Sequence, residues 1–355
     1  MEKRKALVLL LVAGGVIGIA AIGLMAMGNP QNMGICVACF IRDTAGALGL
    51  DRAANVQYIR PEIIGFILGA FALSLATKEF RPSGGSSPLL RFVIAFFVMI
   101  GALVFLGCPL RMVLRLAAGD LNALVGLIGF AAGIGLGSLF LNKGFSLGRA
   151  VQQPKANGFV MPAIAVALLV FLLVRPAFIL FSVEGPGAAH APVWIALAAG
   201  LVVGGLVQRS RLCMAGGIRD ALLIRNFNLL LGYGAVLVTA LIGNLVIGNF
   251  RLGFAGQPIA HTDFVWNFLG MSLVGYGSTL LGGCPLRQVI MAGEGNTDAG
   301  VSVLGMLVGA ATAHNFGLAA SPADVPVNGQ IAVGIGLAVL TAIALANSKL
   351  GKGVR

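Results

Sequence analysis

Five cysteines hold the reactive chemistry of this 355-residue sequence, and their neighbours say more than their number. Gly107-Cys108-Pro109-Leu110-Arg111 recurs as Gly283-Cys284-Pro285-Leu286-Arg287, at an offset of 176. Cys36-Val37-Ala38-Cys39-Phe40-Ile41-Arg42-Asp43 recurs, with changes, as Cys213-Met214-Ala215-Gly216-Gly217-Ile218-Arg219-Asp220, at an offset of 177. Proline after cysteine breaks an incoming helix and suits the first position of a new one, which predicts Cys108 and Cys284 at helix N-caps. A thiol there meets the positive end of a helix dipole and free backbone N–H groups, an environment that favours thiolate and anions. Arg111 and Arg115 are four residues apart, share a helix face and are expected to add positive potential near Cys108. Arg287 persists in the second copy, where Met291 takes the other position. A packed thiol at a helix kink is the bland alternative for one copy; an identical pentapeptide in two copies favours a site.

Cys36 and Cys39 form Cys-x-x-Cys, which suits a redox pair, half of a metal site, or two thiols one helical turn apart aimed at a pore. A closed zinc site needs four ligands, and neither a second pair nor a histidine is spaced for one, so no metal is expected. His190, His261 and His314 have no facing partner and read as solvated or packed, and no cofactor is expected. Arg42-Asp43 and Arg219-Asp220 read as internal salt bridges, although charge at membrane depth also marks pathways. No Gly-rich nucleotide-binding sequence occurs, so the chain is not expected to hydrolyse ATP or to be an enzyme.

The elements that must position these residues are membrane helices. The chain is 58% hydrophobic and 10% charged, with a mean hydropathy of +0.97, against about a quarter charged in soluble proteins. Its 52 glycines suit closely packed transmembrane helices. Apolar runs long enough for about 30 Å of hydrocarbon fall at 6–27, 58–77, 91–107, 120–141, 159–181, 192–208, 229–249, 264–282, 300–318 and 329–347. About nine to ten crossings are therefore expected, the first as a retained helix rather than a cleaved leader. The net charge of +12 comes from cations scattered between spans, which the positive-inside rule explains; a nucleic-acid partner is not expected. Lys3, Arg4, Lys5, Lys78, Arg81, Arg91, Lys143, Arg149, Lys155, Arg209, Arg211, Arg219, Arg225, Lys349, Lys352 and Arg355 fall on one side if ten spans alternate. Both termini are thus predicted cytoplasmic.

The matched offsets predict a duplication, with halves at 1–181 and 182–355. Five spans per half oblige the second copy to enter the membrane from the opposite side, making an inverted repeat of the kind that binds substrate at the midplane. The fold class expected is an all-α integral membrane protein. The cysteine segments are too short to cross and read as re-entrant, Cys36, Cys39 and Cys108 from outside, Cys213 and Cys284 from the cytoplasm.

The paired Gly-Cys-Pro-Leu-Arg segments, with Gly28-Asn29-Pro30-Gln31-Asn32-Met33-Gly34-Ile35-Cys36, resemble the YeeE/YedE group of sulfur-compound membrane transporters over essentially the whole chain. The run from Asn29 to Cys39 is similar to the YedE branch of selenium transporters. The resemblance implies an hourglass-like fold with buried central loops, an inner-membrane location, and import of a thiosulfate-like anion or a selenium species. It implies three important cysteines at Cys36, Cys108 and Cys284; Cys39 and Cys213 depart from that pattern. It also implies a cytosolic sulfur-carrier partner of the TusA or YedF type. The expected site is Cys36, Cys39, Cys108, Cys213 and Cys284 with Arg111 and Arg287. A membrane thiol oxidoreductase exchanging disulfides with a carrier or quinone is the alternative, and a purely structural subunit a third reading.

Overall fold

The computed structural model describes residues 2–349. The side chains of residues 2 and 3 and everything after Lys349 lie outside the described residues, and with them the cations Lys3, Lys352 and Arg355. Apart from a two-residue strand pair, β1 (Ser83–Gly84) with β2 (Val151–Gln152), the chain is helical.

Two series of helices run in the same order. The first is α1 (Glu2–Ala26), α2 (Val37–Ala47), α3 (Pro61–Ala76), α4 (Pro88–Val104), α5 (Pro109–Ala117), α6 (Asn122–Asn142) and α7 (Lys155–Val174). A short α8 (Gly185–Ala188) precedes α9 (Val193–Ser210), α10 (Met214–Ile224), α11 (Asn228–Val246), α12 (Phe264–Leu281), α13 (Pro285–Gly293), α14 (Thr297–Asn315) and α15 (Val327–Ala346). In each series the second and fifth members are short and follow a cysteine.

Among the described residues, eight helical stretches are long and apolar enough to cross a membrane, which makes this a multi-pass membrane protein. That is fewer than the nine to ten expected. The run at 58–77 becomes α3, only 16 residues long, because Pro61 starts it and Thr77 caps it. The run at 300–318 becomes α14, which reaches 19 residues but carries Thr297, Asp298, Ser302, Thr312, His314 and Asn315. Local signals set other starts: Asp263 accepts from the Trp266 amide at 3.3 Å, and Asn296 from the Ala299 amide at 2.7 Å.

Helices of one series pack mainly on the other: α3 on α9, α1 on α11, α4 on α14 and α6 on α12, with α4 against α12 between them. Small residues permit this. A Cβ on Gly65 would meet the Gly200 backbone at 2.7 Å, so two helices touch there main chain to main chain, as lipid-embedded packing favours. Outward faces carry Val8, Ile19, Ile128, Leu139, Val174 and Leu245, all exposed apolar side chains suited to hydrocarbon.

The loops sort into two ends. At one, Lys349 N–H donates to Lys143, Ser146 to Asn347, Ser87 to Leu147 and Arg81 to Glu294. At the other, Leu180 donates to Ala47, Arg251 to Ala118 and Ala320 to Leu103. The first end gathers Lys78, Arg81, Lys143, Arg149, Arg209, Arg211 and Lys349.

Candidate functional site

Four short helices begin on cysteine. Cys108 and Cys284 are the N-caps of α5 and α13, each followed by proline inside the first turn, and their sulfurs accept nothing from their own helices. Cys36 and Cys213 are the N-caps of α2 and α10, positions the sequence reasoning did not assign, since Ser, Thr, Asp and Asn usually serve there. Their sulfurs turn back to accept from the Cys39 amide at 3.2 Å and the Gly216 amide at 3.3 Å. All five cysteines are buried.

The α2 and α5 starts meet first. Cys36 and Cys39 are joined as a disulfide across the first turn of α2. Arg111, buried without residual exposure, donates from Nε to the Asn32 carbonyl at 2.9 Å and from Nη2 to Ile259 at 3.1 Å, with Nη1 on the Leu106 carbonyl. Nη1 also lies 3.8 Å from Cys39 Sγ. Among the described residues Arg111 forms no ion pair, so three carbonyls solvate the guanidinium while its charge stays uncancelled. Arg115 behaves otherwise. Its Nε donates to Asp120 Oδ2 at 2.6 Å, Nη1 reaches the Phe105 carbonyl at 2.9 Å, and both partners of the ion pair are fully buried. The expectation that both arginines raise the potential near Cys108 is therefore corrected. An acid just past the end of α5 neutralises Arg115, and Arg111 touches the α2 sulfur.

The α10 and α13 starts form the second set. Cys213 and Cys284 sulfurs are 3.7 Å apart, and the Cys284 amide lies 3.5 Å from Cys213 Sγ. Arg287 does not hydrogen-bond a thiol; its two Nη atoms reach the Glu294 carboxylate at 3.0 and 3.1 Å. Glu294 also takes Arg211 at 2.9 Å, and Arg211 bridges to Glu79, which takes Arg209 at 2.7 Å. The Gln208 amide, with Arg211 and Arg209 behind it, holds the Glu79 carboxyl below the usual carboxylate range. This set thus lies under a charged cover at the cationic end, whereas Arg111 of the first set contacts the Ile259 loop at the other.

Both expected pairs form, Arg42–Asp43 at 2.6 Å as an internal salt bridge and Arg219–Asp220 at 2.8 Å, but the second is partly exposed rather than internal. Sequence reasoning missed Arg60, which donates to the other Asp43 oxygen at 2.7 Å. It also missed Glu62, buried and accepting from Asn29 at 2.7 Å, although a lone acid in an apolar run is itself a signal. His190 stacks on Tyr58, and His261 Nε2 sits 2.8 Å from the Val104 carbonyl. Among the described residues no three His, Cys, Asp or Glu side chains are grouped to hold a metal ion.

Among the described residues, helices long and apolar enough to cross a membrane enclose buried thiols and a fully buried arginine without an acidic partner, which defines a multi-pass membrane protein with a thiol-bearing interior. Residues 209–349 match the family described as Sulphur transport. Over 112 residues the chain is 31% identical to the thiosulfate transporter TsuA of Spirochaeta thermophila, a stretch covering 32% of this chain and 33% of that protein. The chain thus spans about a third of the length of the curated relative it matches. The matched family region contains Cys213, Cys284 and Arg287.

Proposed function

We propose that this protein carries a small sulfur oxyanion of the thiosulfate class across the inner membrane, along a central path lined by Cys108, Cys213 and Cys284, with Cys36 and Cys39 at its outer mouth. The observation that carries the reading is the placement of cysteine at the N-caps of four short helices. In bilayer-spanning proteins, broken helices whose positive ends face a cavity are how anions are held at membrane depth. Arg111 adds a net positive charge on the same side as Cys36 and Cys39, where an anion would arrive first. The likenesses to sulphur transport and to a thiosulfate transporter point the same way.

The finer reading extends these observations. The matched order of helices, and the pairing of each series on the other, support two inverted halves around an hourglass-like centre. The cationic end faces the cytoplasm under the positive-inside rule, so substrate leaves past Arg287 and Glu294 toward a cytosolic sulfur-carrier of the TusA or YedF type. A selenium analogue of the same anion fits the additional sulfurs of Cys39 and Cys213. Purified protein in liposomes should accumulate sulfur-35 thiosulfate, with a selenium oxyanion as competitor; liposomes with the protein that stay at the protein-free background refute the reading.

One observation favours a second reading. The Cys36–Cys39 disulfide suits a membrane thiol oxidoreductase that exchanges disulfides with a carrier or quinone. That activity would oxidise a reduced dithiol in the presence of quinone without any sulfur oxyanion, and Cys39→Ala would abolish it.

A further inference from the structure

Tyr233 is the sixth residue of α11, and its hydroxyl is unexplained by packing. The side chain is 3% exposed, and the hydroxyl has no hydrogen-bond partner. Leu229 and Leu230, one turn earlier on the same helix face, lie against Gly216 and Gly217 of α10. The Gly216 amide is the donor to Cys213 Sγ. α11 also packs on α5, whose N-cap is Cys108. The phenol is thus carried on the helix that packs against both α10, which starts at Cys213, and α5, which starts at Cys108, with the Met214 amide beside it.

The first series contains its own control. Phe66 is the sixth residue of α3, preceded by Gly65 as Tyr233 is by Gly232, and it is fully buried. A phenyl ring satisfies the packing there. The hydroxyl of Tyr233 is thus an addition in one half only, kept in a buried place where an unpaired polar group is unfavourable.

We propose that Tyr233 is a substrate-positioning residue whose hydroxyl donates a hydrogen bond to an oxygen of the passing oxyanion, while the terminal sulfur of that anion faces Cys108, Cys213 and Cys284. The assignment rests on the transport reading above and narrows it: the substrate must bear both a soft terminal atom and an accepting oxygen. Hydrogen bonds to ionised acceptors are the strong ones, and a site that keeps an unpaired donor discriminates against analogues without its acceptor.

The test uses the full-length protein in liposomes and sulfur-35 thiosulfate. Tyr233→Phe should raise the KM for uptake roughly tenfold or more, with maximal rate and thermal unfolding near those of the unsubstituted protein. Genetic incorporation of a difluorinated tyrosine at 233 supplies a second variant that keeps ring and oxygen and makes the hydroxyl a stronger hydrogen-bond donor. Its KM should fall below that of the unsubstituted protein, a response that a packing role would not give. Uptake by the unsubstituted protein together with unchanged KM in Tyr233→Phe, or a KM in the fluorinated variant no lower than that of the unsubstituted protein, overturns the assignment and leaves transport standing. Absence of uptake by the unsubstituted protein overturns both.

Discussion

Arg111→Gln separates charge from architecture beside the Cys36–Cys39 disulfide. The guanidinium is fully buried, has no acidic partner among the described residues, and lies 3.8 Å from Cys39 Sγ. For an anion at about 8 Å and an effective dielectric of about 20, one unit charge contributes about 2 kcal/mol. Its loss corresponds to roughly a thirtyfold weaker apparent affinity. Glutamine can still donate to one of the carbonyls of Asn32, Leu106 or Ile259, leaving the others short of a donor, so some loss of stability is expected from the structure as well. Arg111→Lys keeps the charge while giving up the fork that reaches several carbonyls, and it should retain most of the affinity. The assay is initial uptake of thiosulfate against concentration in liposomes, with detergent-solubilised protein checked by size exclusion. A normal KM in well-folded Arg111→Gln would refute the electrostatic argument, and equal damage from lysine and glutamine would show that the carbonyl contacts, rather than the charge, matter.

Asp120→Asn should lower thermal stability markedly, because it leaves Arg115 charged and fully buried; breaking such a pair costs about 3–5 kcal/mol. Replacing both residues by leucine should recover part of the loss, and an unchanged melting temperature in the single variant would mean that the pair is not structural. Glu79 gives a pH effect of known sign: its carboxyl is held low by Gln208, Arg211 and Arg209, so its contribution is complete above the ordinary carboxylate pKa. That contribution disappears as pH falls through the lowered value. The melting temperature of the unsubstituted protein should therefore exceed that of Glu79→Gln near neutrality and converge with it in acid, and a gap that persists in acid would contradict the assignment.

The parts of the site that were legible in the sequence obey local rules. Cys108 and Cys284 were recognisable as N-caps because the proline that follows fixes both the end of one helix and the start of the next. The neighbouring pairs Arg42–Asp43 and Arg219–Asp220 were legible for the same reason. What was not legible depends on chain segments far apart or on exact helix ends. Asp120 cancels Arg115 only because α5 stops at Ala117 and lets the acid fold back. Arg60 reaches Asp43 across a loop of irregular structure. Arg287 shares a residue type and motif with Arg111, yet Glu294 at the C-cap of α13 gives it a carboxylate partner that Arg111 lacks. Tyr233 is a lone aromatic in an apolar run, and nothing in its spacing distinguishes it from Phe66 until α11 is placed against α10 and α5. The two runs that do not become crossings, α3 and α14, fall short for different reasons: α3 is cut to 16 residues by its flanking residues, whereas α14 is long enough but is lined with polar groups that face the protein, Asp298 and Ser302 among them, both buried.

If buried sulfur carries the substrate, alanine and serine at Cys108 and Cys284 will reveal it. Both sulfurs lack a hydrogen bond from their own helix, so alanine should leave the N-cap backbone and the following proline turn in place, and protein yield and melting temperature should change little. Uptake of thiosulfate into liposomes should fall nearly to background in Cys108→Ala and in Cys284→Ala. Retention of transport by serine would assign the function to hydrogen bonding, and its loss would assign it to the polarisable sulfur. Uptake by both alanine variants at the rate of the unsubstituted protein would mean that sulfur is dispensable and reduce the repeated Gly-Cys-Pro-Leu-Arg segments to helix packing.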